Sequence, residues 1–511
     1  MPLNGSSGVS IQVMTPLPGG GTSAPINLPI TPGGLSFDAA VRFLEQASWG
    51  PTSATVTQVQ QLGLSAYLDQ QLALPVDSLV TDDNNLHVYE NLWNNAVSKP
   101  SQLRQKTMWA WYKMFNTPGS TKLEWTSQVP ELLQRDAFAN YTKLLQDMSL
   151  NSWFGIFLNF AGANSAGPDP NQNFARELQQ IFTTGPYVLQ RDGTVLTLGD
   201  GSAQPQYTQT DVSEVARAMT GWLASSNLND DPEGLSQMVM PSWQGAHDTG
   251  PKTVQGVVTP GGGDALGDMI AITSQLAASP NTATFLSKRL IKHFVTSNPS
   301  PTYISRVSGV WLDDGTGVRG NVAAVIKAIL LDPEARAGDD PEVQPDATEG
   351  RVMDSVEFQI RTMRVLGTSV EAVFLSRETA PDFNESALNS TSVFGYYPSS
   401  YTLPGTTIMA PELALFTTST LTTKAGYLQQ IIYALNGNNV SIDWSGWSAL
   451  ATGDGSPLID QINHVCLNGT MSAGLRQILL QAFQEAPSSN DGQAKRLLYL
   501  TLMSPEFAVI R

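Results

Sequence analysis

In residues 167–185, GPDPNQNFARELQQIFTTG, Asn173, Glu177 and Gln180 recur at i, i+4 and i+7 and so fall on one helix face. An amide and a carboxylate one turn apart can hold a cation, position a water or bind a neighbouring loop. Arg176 stands beside that face and invites an acid from elsewhere in the chain. Residues 243–254, WQGAHDTGPKTV, put an imidazole (His247), a carboxylate (Asp248) and an ammonium (Lys252) on one loop. Unperturbed histidine titrates closest to neutrality, which makes it the natural proton carrier. Glu177 and His247 are therefore the candidate catalytic pair, an acid/base couple suited to hydrolysis. Asn173, Arg176, Arg217, Asp248 and Lys252 are the candidate binding residues. Each stretch also has a structural reading: the first ties a central helix to its loops, and His247 and Lys252 pin the second to backbone carbonyls.

A divalent metal held by His247, Asp248 and Glu177 is the cofactor these residues allow, although no local pair of ligands points to it. Asn229-Asp230-Asp231-Pro232-Glu233 is acidic enough for calcium but lacks the spacing of a calcium loop. Lys288, Arg289, Lys292 and His293 make a basic helix face that either holds an anionic ligand or pairs with the chain's own carboxylates. The single cysteine, Cys466, excludes an internal disulfide and reads as a small buried hydrophobe. The chain has no HExxH, phosphate loop, nucleophile elbow or dinucleotide fingerprint.

The elements that must position these groups are mostly helices. Ser36 caps a helix with Phe37, Val41 and Leu44 on one side, and Ser279-Pro280 opens another through Phe285, Leu286, Leu290 and Phe294. Asp169-Pro170, with Gln172 at capping-box spacing, starts the Glu177 helix. Thr210 caps the next, which runs through Val212, Val215, Ala216 and Met219. Asp192-Gly193 is the one clear hairpin signal. Long Gly/Pro-rich loops cover residues 228–234, 257–263, 337–350 and 391–411. The expected fold is mainly α: a large multi-helix globular domain over residues 35–511 with a small β-hairpin and a subdivision, if any, near 338–350. Residues 1–34 read as a flexible Pro/Gly-rich tether in which Val9, Ile11 and Val13 alternate as a lone strand would.

In 511 residues, 28 Lys and Arg face 45 Asp and Glu, a net charge of −17, which argues against nucleic-acid binding. No apolar run is long enough to span a bilayer. The opening MPLNGSSGVS has neither the basic nor the apolar region of a signal peptide. Few charges, many Ser, Thr, Asn and Gln residues and one cysteine lead to the expectation of a periplasmic or extracellular address.

Several phrases, in order, resemble the bacterial secreted proteins of the family of unknown function DUF1800. They are AVRFLEQASWGPT, PDPNQNFARELQQIFTTG, YTQTDVSEVARAMTGW, HDTGPKTV, LIKHFVTSNPSPTYISRVSGVW, GVRGNVAAVIKAILLDPEAR and LYLTLMSPEF. The resemblance spans nearly all of residues 37–507. It implies an exported, mostly helical protein and a secreted sulfatase- or phosphatase-like partner encoded nearby, but no activity. Where the family usually has Glu, this chain has Gln172; where it usually has His-Glu, this chain has His247-Asp248. Gln172 then marks a cap, an inactive copy, or a site whose acid is Glu177. The functional expectation is a protein that binds a surface polysaccharide or a protein partner, with a Glu177/His247 hydrolase as the alternative.

Overall fold

The computed structural model describes residues 8–11, 26–29, 34–80, 85–119, 123–165, 169–224, 239–340, 348–368, 383–433, 441–485 and 489–511. Among them the fold is mainly α, with three two-stranded antiparallel ribbons. None of the described helices is long and apolar enough to cross a membrane. Buried side chains from Ala40 to Ile510 form one hydrophobic cluster.

Local chemistry explains many helix starts. Ser36 accepts a hydrogen bond from the Ala39 amide at the head of Phe37–Ala47, and Ser279 does the same for Asn281 ahead of Pro280–Phe294, with proline in the first turn. Two helices are buried on almost every side: Gln102–Phe115 and Ser355–Leu366. A helix so placed is normally apolar all round. These carry Lys106, Glu357 and Arg361 into the interior and close them as ion pairs: Lys106 with Glu357, Glu357 with Arg351, and Arg361 with Glu45. Trp109 stacks on Tyr112 at 5.4 Å and donates to Asp354, so this charged seam lies against aromatic packing. Cys466 is fully buried, as expected, and burial pushes its thiol up to about 12.

Several expectations needed correction. The Glu177 helix is Asn173–Gln180, and Gln172 stands at its N-cap position but its side chain makes no capping hydrogen bond. Asn171 takes the Asn173 amide in a local turn instead, because proline at 170 and an Asn two residues before the helix favour a turn over a longer helix. Thr208, not Thr210, caps Gln209–Ala218, in a capping box with Asp211. The Asp192-Gly193 turn is present, with Gln190 N bonded to Thr194 O at 2.8 Å and Gly193 at φ +81°, but its arms meet only as isolated bridges. A ribbon lies where a loop was expected: Lys252–Val254 pairs with Val257–Thr259. Its turn, Gln255-Gly256, has φ of +47° and +80°, the geometry usually marked by Asn-Gly, which glutamine at the first position disguised. The strand near Val9 is not alone, since Gly8–Ile11 pairs with Ile26–Pro29. The acidic loop at 229–233 lies outside the described residues.

Candidate functional site

Glu177 is buried, at 5% exposure, and its Oε2 has no hydrogen-bond partner. Burial raises its pKa, eased by Arg176. Around it the side chains clasp helix to helix. Gln172 donates to Ser213 Oγ at 3.2 Å and accepts from Gln209 at 2.7 Å. Among the described residues Arg176 forms no ion pair; it donates to Gln209 Oε1 at 3.1 Å. Gln180 accepts from the Tyr207 hydroxyl. Asn173 is half-buried at the helix start.

The His247 loop is a closed electrostatic unit. His247 Nδ1 lies 2.9 Å from Thr220 O, and its Nε2 lies 3.3 Å from Asp268 Oδ2 without hydrogen-bond geometry. Lys252 Nζ donates to Asp248 O and, at 2.5 Å, to Asp268. Arg217 grips Asp248 with two N–H groups at 2.8 and 3.1 Å, which holds that carboxyl below its usual range. A side chain at Gly221, with φ +89°, would come 2.9 Å from His247 Cβ, so only glycine lets the loop pass there. The expected pinning of the loop by His247 and Lys252 to carbonyls is what the structure shows. No hydrogen bond or ion pair joins Glu177 to His247, and neither lines the cavities described below. Among the described residues no group of three or more His, Cys, Asp or Glu side chains is placed to hold a metal ion.

A different set of residues shares an open cleft. The Pro280–Phe294 helix forms one wall with Lys288, Arg289 and Lys292, and the other comes from the long segment around Val393, Phe394 and Ser399, with the Asp192-Gly193 turn at the mouth. The cleft holds about 410 Å³. Phe394 and Tyr187 stand exposed, at 63% and 44%. The basic face was expected to pair with the chain's carboxylates, unless a ligand took it. Among the described residues Lys288 and Lys292 form no ion pair, and Arg289 donates only to the Ile181 carbonyl, at 2.7 Å. Burial lowers Arg289 to about 10, and burial together with Lys288 lowers Lys292 against the pull of Glu412.

The cleft adjoins a chamber of about 130 Å³ that shares Asn116, Arg289, Lys292, Phe394 and Ser399 and adds Lys113, His293, Tyr396, Tyr397 and Glu412. Asn116 Oδ1, His293 Nε2 and Glu412 Oε2 are all buried there without partners, an unusual concentration for a folded interior. Burial drives His293 well below its ordinary value and lifts Glu412 to about 7 against the pull of Arg351. The imidazole is thus held neutral and the carboxyl is half-protonated near neutrality. Lys113 is caged by Tyr397 and Tyr396 at 4.4 and 5.0 Å from the ring centroids; it is paired with Glu385 and lies 3.7 Å from Asp354. Perturbed groups facing one concave site mark a functional candidate. The basic face was visible as a spacing on one helix, but nothing in the sequence tied it to residues 113–116 or 394–412.

A model of the family described as protein of unknown function (DUF1800) matches residues 42–509, a span that takes in the whole cleft. No curated protein matches the chain, and no solved structure does.

Proposed function

The chain belongs to the DUF1800 family, and from its own cleft we propose that it binds a polymer or partner bearing anionic groups, most simply an acidic polysaccharide. One observation carries the reading: Lys288, Arg289 and Lys292 line a single cleft with no ion-pair partner among the described residues, in a chain of net charge −17. Three neighbouring cations repel one another and are partly desolvated, and an anionic ligand relieves both costs. Exposed Tyr187 and Phe394 offer flat faces against which sugar rings pack. Such a polymer lies outside the cytoplasm, in keeping with the composition. A secreted sulfatase- or phosphatase-like partner would act on esters of the same material.

The test is calorimetry with an oligogalacturonate and, as neutral control, a dextran oligomer. The acidic probe should bind and the neutral one should not, with affinity falling as salt rises. Lys288→Ala and Lys292→Ala should each weaken binding about tenfold, or ~1.4 kcal/mol. Variants that bind as tightly as the parent, or a parent that ignores the acidic probe at low salt, would refute the proposal.

The hydrolase reading has one observation in its favour: Glu177 Oε2 and His247 Nε2 are both buried without hydrogen bonds. It requires a turnover that Glu177→Gln abolishes while the fold persists.

A further inference from the structure

Behind the cleft's inner wall lies a second cavity, of about 520 Å³. The short 3-10 turn Pro411–Leu415 separates the two: Glu412 faces the chamber, and Leu413 lines the second cavity. Leu403, Ile408, Phe416 and Leu502 make its surface largely apolar. The volume falls in the range of sites for small organic ligands.

One ammonium interrupts this lining. Lys424, on the helix Thr418–Tyr433, is 5% exposed. Its Nζ stands 3.8 Å from the centroid of the Phe416 ring and 4.4 Å from that of Phe358, and both rings line the cavity. Aromatic faces attract a cation but offer no oxygen to its three N–H donors. Among the described residues no carboxylate forms an ion pair with Lys424. Burial pushes it down to about 8, against the opposing pull of Asp354 and Glu385. The other cation on the wall, Arg351, is already closed on both oxygens of Glu357. Glu349 also lines the cavity, from the segment before Arg351, with its Oε2 buried and without a hydrogen bond. An occupant that completes Lys424 brings an anionic oxygen at one end and an apolar body behind it.

We propose that this cavity binds an amphiphilic carboxylate, its chain against Leu403, Ile408 and Phe416 and its carboxylate accepting hydrogen bonds from Lys424 Nζ. The site is separate from the basic cleft and does not rest on the reading given to it.

Dodecanoate is the probe, with dodecanol as the neutral analogue, each followed by calorimetry on the full chain at pH 7. Dodecanoate should bind saturably at one site. Lys424→Met should weaken it by about tenfold or more while changing dodecanol little. Ile408→Trp, which fills the cavity from its wall, should abolish both and leave oligogalacturonate binding at the cleft as it was. That variant carries the test if Lys424→Met does not fold. Absence of saturable dodecanoate binding, an unchanged affinity in Lys424→Met, or binding that survives Ile408→Trp would overturn the proposal.

Discussion

The His247 loop and the Pro280–Phe294 helix hold the same kinds of side chain and use them in opposite ways. Around Lys252 the charges are closed: Asp268 on one side, the Asp248 carbonyl on the other, and Arg217 across Asp248 and Glu214. Along residues 288–293 they stay open, with burial and mutual repulsion acting on Lys292. A buried ion pair adds little net stability once made, yet is costly to break. A cation left unpaired beside other cations has no such internal use. The comparison teaches that residue type does not separate scaffold from site. What separates them is whether the partner charge is supplied by the chain.

The contrast is tested hardest at Asp268. Asp268→Asn leaves Lys252, only 1% exposed, without its carboxylate and should cost about 3–5 kcal/mol, read from the denaturant midpoint. Lys292→Met should cost little or nothing, since it removes a buried charge whose repulsion by Lys288 and Arg289 opposes the attraction of Glu412. Equal losses in the two variants would erase the distinction.

Glu412 sharpens it by pH. Burial raises this carboxyl from 4.5 to about 7. Between those values the unfolded chain has released a proton that the folded chain keeps. The contribution is therefore whole below about pH 4.5 and is lost as pH rises through about 7, by up to ~3 kcal/mol. Glu412→Gln should be more stable than the parent at pH 8, with the gap closing towards pH 4.5. A gap that ignores pH in equilibrium unfolding would show that Glu412 is ionised in the fold.

The smallest effect is expected at Gln172. Gln172→Glu keeps the oxygen that accepts from Gln209 and loses the donor to Ser213. Both bonds lie near solvent, so the loss should stay below ~1 kcal/mol in chemical denaturation. A larger loss would make this clasp part of the framework that holds Glu177.

What could be read along the chain was what neighbouring residues settle among themselves. Ser36 and Ser279 cap the helices they precede, Cys466 is buried, and Lys252 bonds to the Asp248 carbonyl of its own loop. Errors arose where two local options competed. Asn171 formed a turn where a longer helix was expected, Thr208 rather than Thr210 met Asp211, and Gln255-Gly256 took a turn usually signalled by asparagine. Arg176 was expected to draw an acid and instead found an amide, Gln209 on the next helix.

The amino-acid order alone determined that the chain is helical and acidic, related to DUF1800, and that four basic side chains share one helical face, because periodicity and composition are properties of adjacent residues. Whether acids would arrive to close that face depended on how segments more than a hundred residues apart came to pack. Tertiary structure sent Asp268 to Lys252, left Lys292 without an ion pair among the described residues, and set it with Glu412 and His293 in one chamber. Coulombic pairing acts through space, and separation along the chain does not predict it.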